Sequence, residues 1–250
     1  MTIFAGIDLA WSGRRPTGVC LFRVEGQGVR LLRLDCTGSD CTATEVAELL
    51  GELGDDVVAG IDAPLIVAES RDAEARMARE LGRFGVYAYS ARADFLERHG
   101  ILEGPRLGSK LAERGWNLDP HVLLAGGAGR HAIEVFPHAT IVSLLRSPAA
   151  LKYKKGRVAG RVAEMAVFQR LLQGFLAREL PELAVLPELS VDAGLFRGNA
   201  LKALEDELDA LACAIAAHHA WKYGATGTVV FGEAATGYIA VPRVPAVACC

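Results

Sequence analysis

The chain has 250 residues, about half of them hydrophobic and 23% charged, a balance that excludes a disordered polymer and supplies enough apolar side chains for a sizeable core. A formal charge of -3 gives no global attraction to nucleic acid, so any phosphate contact has to come from a local basic cluster, and no stretch approaches the ~20 apolar residues of a membrane span. Six cysteines without a CxxC pair exclude a disulfide-dense scaffold, and the basic residues near the N-terminus follow the apolar run instead of preceding it, so the expectation is a cytoplasmic protein with reduced thiols.

Residues 2–8 (TIFAGID) are an apolar run that closes on a carboxylate. Gly13, Arg14, Arg15 and Pro16 then supply turn chemistry, residues 18–24 read as a second strand, and EGQG at 25–28 turns the chain into a third over 29–36. Thr42 or Thr44 caps a helix whose apolar positions Val46, Leu49, Leu50 and Leu53 recur at helical spacing before Gly54 and Asp55 stop it. VVAGIDAPL at 57–65 suits a strand buried on both faces, and it too carries an aspartate at its end.

Ser70 and early acids predict a helix over 70–82, whereas 83–130, with many glycines and interleaved arginines and tyrosines, reads as an irregular insertion or lid. Strand character returns at 131–137, Pro137 opens a short helix through Leu145, and KYKKGR at 152–157 reads as an exposed basic loop. Residues 158–179 and 199–222 are the strongest helical patterns, and TGTVVFG with TGYIAVP forms a terminal hairpin. The order of elements predicts an α/β fold with one continuous mixed five-stranded central sheet flanked by helices, a single domain over 1–245 and a tail at 246–250. No role is assigned to Cys249 and Cys250 in that tail.

Acidic residues usually occupy solvated surfaces, so an aspartate that ends an apolar strand needs a reason. Asp8 and Asp62 both follow Gly-Ile, in AGIDLA and AGIDAP, and parallel adjacent strands would deliver both carboxylates to one sheet edge. Their repulsion is relieved by a raised pKa or by a hard divalent cation, Mg²⁺ or Mn²⁺; the alternative for either one alone is a turn or helix cap. Asp206 and Asp209 lie three residues apart on one helical face, opposite the stripe Leu201, Leu204, Leu208, Leu211 and Ile215. Ala212, Cys213, Ala216 and Ala220 continue the acidic side with small residues that let the helix approach a sheet closely. The competing reading of the acidic run at 205–209 is a complement to the helix dipole. Glu134 also ends an apolar strand, as a further metal ligand or as the buried partner of an arginine.

These residues carry a resemblance. GIDLAWSG with Thr17 and Gly18, GIDAP at 60–64, EVFPHA at 134–139, KYKKGR, DELDALACA at 206–214 and GYIAVP stand in the order found in the domain of unknown function 429 family, a group of predicted nucleases of ribonuclease H-like fold. The resemblance spans nearly the whole chain, with 83–130 matching less clearly. It implies a ribonuclease H-like sheet with an acid on the first strand, another on the fourth and a paired D-x-x-D on the last helix, here Asp8, Asp62, Asp206 and Asp209. It also implies two-metal hydrolysis of phosphodiester bonds, with Asp8 as the bridging ligand.

For a nucleic-acid partner, Lys152, Lys154, Lys155, Arg157 and Arg161 are the candidates to hold the backbone, and Trp11, Tyr87 and Tyr89 to stack bases, Trp11 being preferred for its closeness to Asp8. The bland alternatives are a solvated loop and core packing. The rival function is a nucleotide-binding or phosphotransfer domain of the actin and sugar-kinase type, to which AGGAGR at 125–130 lends weak support; a non-catalytic interaction module is the third reading.

Overall fold

The computed structural model describes residues 1–26, 28–38 and 41–244, so the tail with Cys249 and Cys250 lies outside the described residues. β1 (Thr2–Asp8), β2 (Gly18–Glu25) and β3 (Gly28–Cys36) form the expected antiparallel meander. Gly13 and Gly26 reverse the chain with φ near +64° and +58°, open to a residue without a Cβ. α1 (Ala43–Gly51) starts on a capping box between Thr42 and Glu45, and β4 (Val57–Ile61) follows, stopping one residue before Asp62. α2 (Ala73–Leu81) starts after Asp72 and not at Ser70; no side chain caps it, because the Asp72 carboxylate accepts instead from Arg76 Nε at 2.7 Å.

The segment 83–130 is not irregular. It contains α3 (Ala93–His99), α4 (Glu103–Glu113) and α5 (Pro120–Leu124). Low helix propensity hides α4 in the sequence, but Pro105 falls in its first turn, where a missing N–H costs nothing, and Gly104 and Gly108 make one face of it. A Cβ on Gly108 would stand 2.2 Å from the Leu65 carbonyl oxygen, and one on Gly104 would stand 2.6 Å from that of Pro64, so these glycines dock α4 on the end of β4. Glu103 fastens the same helix, its Oε2 accepting from the Ala43 amide at 2.6 Å.

β5 (Arg130–Glu134) and α6 (Pro137–Ser143), opened by Pro137 as expected, lead to α7 (Val158–Glu179) and α8 (Gly198–Gly227), which continues five residues past its predicted end across a kink at Gly224. β6 (Thr228–Glu233) and β7 (Gly237–Pro242) close the chain as the expected hairpin.

The five-stranded sheet has the order β3-β2-β1-β4-β5, with β4 parallel to β1 and β5 parallel to β4. α1 and α4 cover one face, where Ala5, Ile7, Val19, Leu21, Ala59 and Ile61 meet Val46, Leu50, Leu107 and Leu111. α7 and α8 cover the other, against Phe4, Cys20, Phe22 and Val58. A third cluster joins α2, α6 and the hairpin through Met77, Val142, Phe231 and Ile239, and a bridge from Val135 to Ala240 ties the hairpin to the chain just after β5. Among the described residues no helix is long and apolar enough to cross a membrane.

One packing contact positions everything that follows. Gly6 pairs with Gly60 across the parallel ladder, and both point at α8 with Gly18 of β2. A Cβ on Gly6 would lie 1.9 Å from the Ala210 oxygen, one on Gly18 2.2 Å from that of Asp206, and one on Gly60 2.4 Å from that of Cys213. The helix therefore rests backbone to backbone on three strands, as the small residues of its acidic side predict.

Candidate active site

Side chains alternate across a strand, so Gly6 and Asp8 leave β1 on the α8 face, as Gly60 and Asp62 do beside β4. The Asp62 amide donates to the Ile7 carbonyl at 2.8 Å, which holds the two strand ends in register. Asp8 lies opposite Gly18, the residue on which Asp206 sits. The structure thus brings Asp8, Asp62, Asp206 and Asp209 together. Asp8 and Asp62 are half-buried on the wall of a cavity of about 590 Å³, while Asp206 and the fully buried Asp209 stand behind them.

Burial dominates their electrostatics. It raises Asp8 and Asp209 each to about 6, against the pull of Lys154, and lifts Asp62 well above the carboxylate range. Asp206 is raised for the same reason, and its charge raises the Asp8 carboxyl further. Two lysines answer this charge. Burial alone would lower Lys154, but Asp209, Asp8 and Asp62 outweigh it and hold the ammonium well above its usual value. Lys202 is also raised, by Asp206 and Asp8 against its burial, and its ammonium contacts the Asp206 carboxylate and lies 2.7 Å from Glu205 Oε1.

The predicted exposed loop 152–157 is therefore corrected at its centre. Tyr153 is fully buried, and its hydroxyl donates to Asp209 Oδ1 at 2.6 Å; Lys154 Nζ lies 2.7 Å from Asp209 Oδ2. Apolar packing against Phe168 and His138 pulls this part of the loop inward. Lys152 and Lys155 remain at the cavity. Arg157 is exposed at the start of α7, away from the cavity lining, and Arg161 is a structural cation, donating to Glu205 Oε2 at 3.0 Å and to the Tyr153 carbonyl at 2.9 Å. Trp11 lines the cavity, and its indole N–H donates to the Asp62 carbonyl at 3.0 Å. Glu205 lies two turns into α8, buried between Arg161 and Lys202, so it is an ion-pair partner more than a complement to the helix dipole.

Glu134 takes the arginine partner. Both of its oxygens accept from the buried Arg71, at 2.5 and 3.0 Å, and Oε2 also accepts from the Leu65 amide at 3.2 Å. Burial nevertheless lifts Glu134 to about 7, against the attraction of Arg71. Arg71 reaches onward to Glu74 and to the Ile66 carbonyl, and a Cβ on Gly237 of β7 would strike its guanidinium. A guanidinium cannot shed its proton, so Glu134→Ala is expected to destabilise the fold by about 3–5 kcal/mol, read as a lower denaturant midpoint at unchanged m-value.

Among the described residues no three His, Cys, Asp or Glu side chains are arranged, as they stand, to hold a metal ion; Lys154 sits among the carboxylates. The donor chemistry nonetheless fits Mg²⁺ or Mn²⁺. All four acids are hard oxygen donors, and they outnumber Lys154 and Lys202 two to one. Asp209 Oδ2 is buried and meets Lys154 at ion-pair distance without hydrogen-bond geometry, which leaves it a lone pair.

Sequence reasoning missed Lys202, Tyr153 and the Arg71 clamp. Lys202 was findable, since it stands three and four residues before Glu205 and Asp206 on one helix. No curated protein and no solved structure was found to match the chain. A family model described as "Protein of unknown function (DUF429)" matches residues 6–235, from the first Gly-Ile-Asp into the closing hairpin, and the chain belongs to that family.

Proposed function

We propose that this chain is a divalent-metal-dependent hydrolase of phosphodiester bonds in nucleic acid, built on a ribonuclease H-like fold. The carrying observation is that four aspartates from β1, from the end of β4 and from α8 meet beside one cavity with only two lysines among them. The sheet order β3-β2-β1-β4-β5, with β2 alone running against the other four strands, supports the fold assignment. Gly126 and Gly129 turn α5 into β5 and do not join a strand to a helix, which weakens the phosphotransfer alternative.

Asp8 and Asp62, facing the cavity, and Asp209 behind them would hold the metal, which when bound polarises the phosphoryl group and acidifies a water. Asp209 becomes available as Lys154 leaves it, and the released ammonium keeps its charge beside the phosphate. Tyr153 keeps the other Asp209 oxygen oriented through its 2.6 Å hydrogen bond. Lys202 holds Asp206 in place beside Asp8 through its ion pair. Lys152 and Lys155 meet the substrate backbone.

The test is purified protein with Mg²⁺ or Mn²⁺ against single-stranded, duplex, hybrid and branched substrates, beside Asp8→Asn and Asp209→Asn. Cleavage is expected to fall at least ~100-fold in each variant. Cleavage that survives both substitutions, or ATP turnover without any nuclease activity, would overturn the assignment.

A further inference from the structure

We propose that the cavity takes one unpaired nucleoside unit, its base against Tyr87 and Tyr89 and its phosphate at Lys152 and Lys155, so that the substrate is a single strand or a splayed end and not intact duplex. The proposal deepens the phosphodiesterase reading and rests on it.

Size comes first. A cavity of about 590 Å³ has room for a base with its sugar, and a base reaches such a pocket only once it has left its pair and its stack. Its lining combines Asp8, Asp62, Glu74, Glu134 and the lysines with Val86, Ala88, Phe136 and Ile239, which belong to one apolar cluster.

Tyr87 and Tyr89, 67% and 64% exposed, stand on the cavity wall with most of their surface in solvent. Both rings are nevertheless fixed. The Tyr87 hydroxyl donates to the Gly82 carbonyl at 3.2 Å, and its ring lies so close over Gly82 that a Cβ there would come within 3.1 Å of the hydroxyl. Lys155 donates to the Tyr89 hydroxyl while its ammonium lies 4.8 Å from the ring centroid. Held rings with uncovered surface are what base stacking requires, with little ordering left to be done on binding. An ammonium has three donors, so Lys155 keeps two for phosphate after serving Tyr89.

A polar handle is present as well. His138 lines the cavity, and its Nδ1 is buried without a hydrogen-bond partner among the described residues. Burial, with Lys154 and Lys155 nearby, lowers this imidazole to about 3, so it is neutral, and its other ring nitrogen is left for a base edge or a sugar hydroxyl.

The experiment is calorimetric titration of the full chain with AMP, GMP, CMP and UMP, and with ribose 5-phosphate and inorganic phosphate as controls, for the wild type, Tyr87→Ala, Tyr89→Ala and Tyr87→Phe. At least one nucleotide is expected to bind about ten-fold or more tighter than ribose 5-phosphate, with the margin lost in both alanine variants and kept in Tyr87→Phe. In the cleavage assay the single strand is expected to be cut at least about ten-fold faster than its duplex, with KM for the single strand raised in Tyr89→Ala. Ribose 5-phosphate binding as tightly as every nucleotide, or equal cleavage of duplex and single strand, overturns the pocket assignment even if Asp8→Asn abolishes cleavage. Nucleotide binding with the stated margin, but no cleavage of any substrate, sustains the pocket and overturns the chemistry.

Discussion

Asp8→Asn is expected to raise the melting temperature of the metal-free protein at pH 8 by roughly 5–10 °C while abolishing its response to divalent cation. Burial lifts the Asp8 carboxyl from 3.8 to about 6. Between those values the folded chain holds more protons than the unfolded one, so this group's contribution to stability falls as pH rises through the window and is fully unfavourable above it. About two pKa steps correspond to roughly 3 kcal/mol, and at this chain length each kcal/mol moves the midpoint by about 2–4 °C. Asparagine keeps the shape without the charge. His138 and His218, lowered by burial to about 3 and about 4, act in the opposite direction on acidification. Both proteins carry them, so they cancel in the comparison. The check is thermal unfolding from pH 4 to 8 with EDTA and then with Mg²⁺, which is expected to stabilise the wild type by mass action. A variant that melts lower at pH 8, with the wild-type slope between pH 4 and 6, would rule out an Asp8 carboxyl raised by its surroundings.

Gly6→Ala has the larger structural effect. Its Cβ would stand 1.9 Å from the Ala210 oxygen, where a carbon and an oxygen need about 3.3 Å, so α8 would have to retreat by ~1.4 Å. Ala210 follows Asp209 directly, so the acids of α8 move with the contact. A loss of about 3 kcal/mol or more is expected, with cleavage reduced ~100-fold in whatever protein still folds. Gly160→Ala is the contrasting change. That glycine is exposed in α7 with nothing within 4 Å of the added carbon, and alanine there should stabilise by about 0.5–1 kcal/mol. Urea midpoints of the two variants decide it, and a Gly6→Ala midpoint within error of the wild type would contradict the backbone contact.

Much of this fold is legible where local signals agree with tertiary placement. The turns at Gly13 and Gly26 announce the meander, and the repeated Gly-Ile-Asp announces both the paired strand ends and the carboxylates. α8 is legible on both sides, apolar stripe and small-residue face alike. Legibility fails where one residue type serves two purposes. Gly104 and Gly108 look like loop residues because nothing local says that they seat a helix on Pro64 and Leu65. Lys154 looks solvated because its partner Asp209 is 55 positions away, and Tyr153 shares that fate in a run of lysines. Arg71 is the same case, since its partner Glu134 and its neighbour Gly237 meet it only in three dimensions.

The seating of α8 on β1 has a consequence for biosynthesis. The first strand emerges from the ribosome about 200 residues before the helix that covers it, a wait of roughly 10–40 s at ordinary elongation rates. Throughout that interval the glycine face of β1 and β4 has no lid, and the acids at the two strand ends have neither Lys154 nor Lys202 to offset them until those residues are made. A nascent chain therefore carries an open, sticky sheet, and production in quantity depends on holding that sheet apart from its copies until α8 arrives.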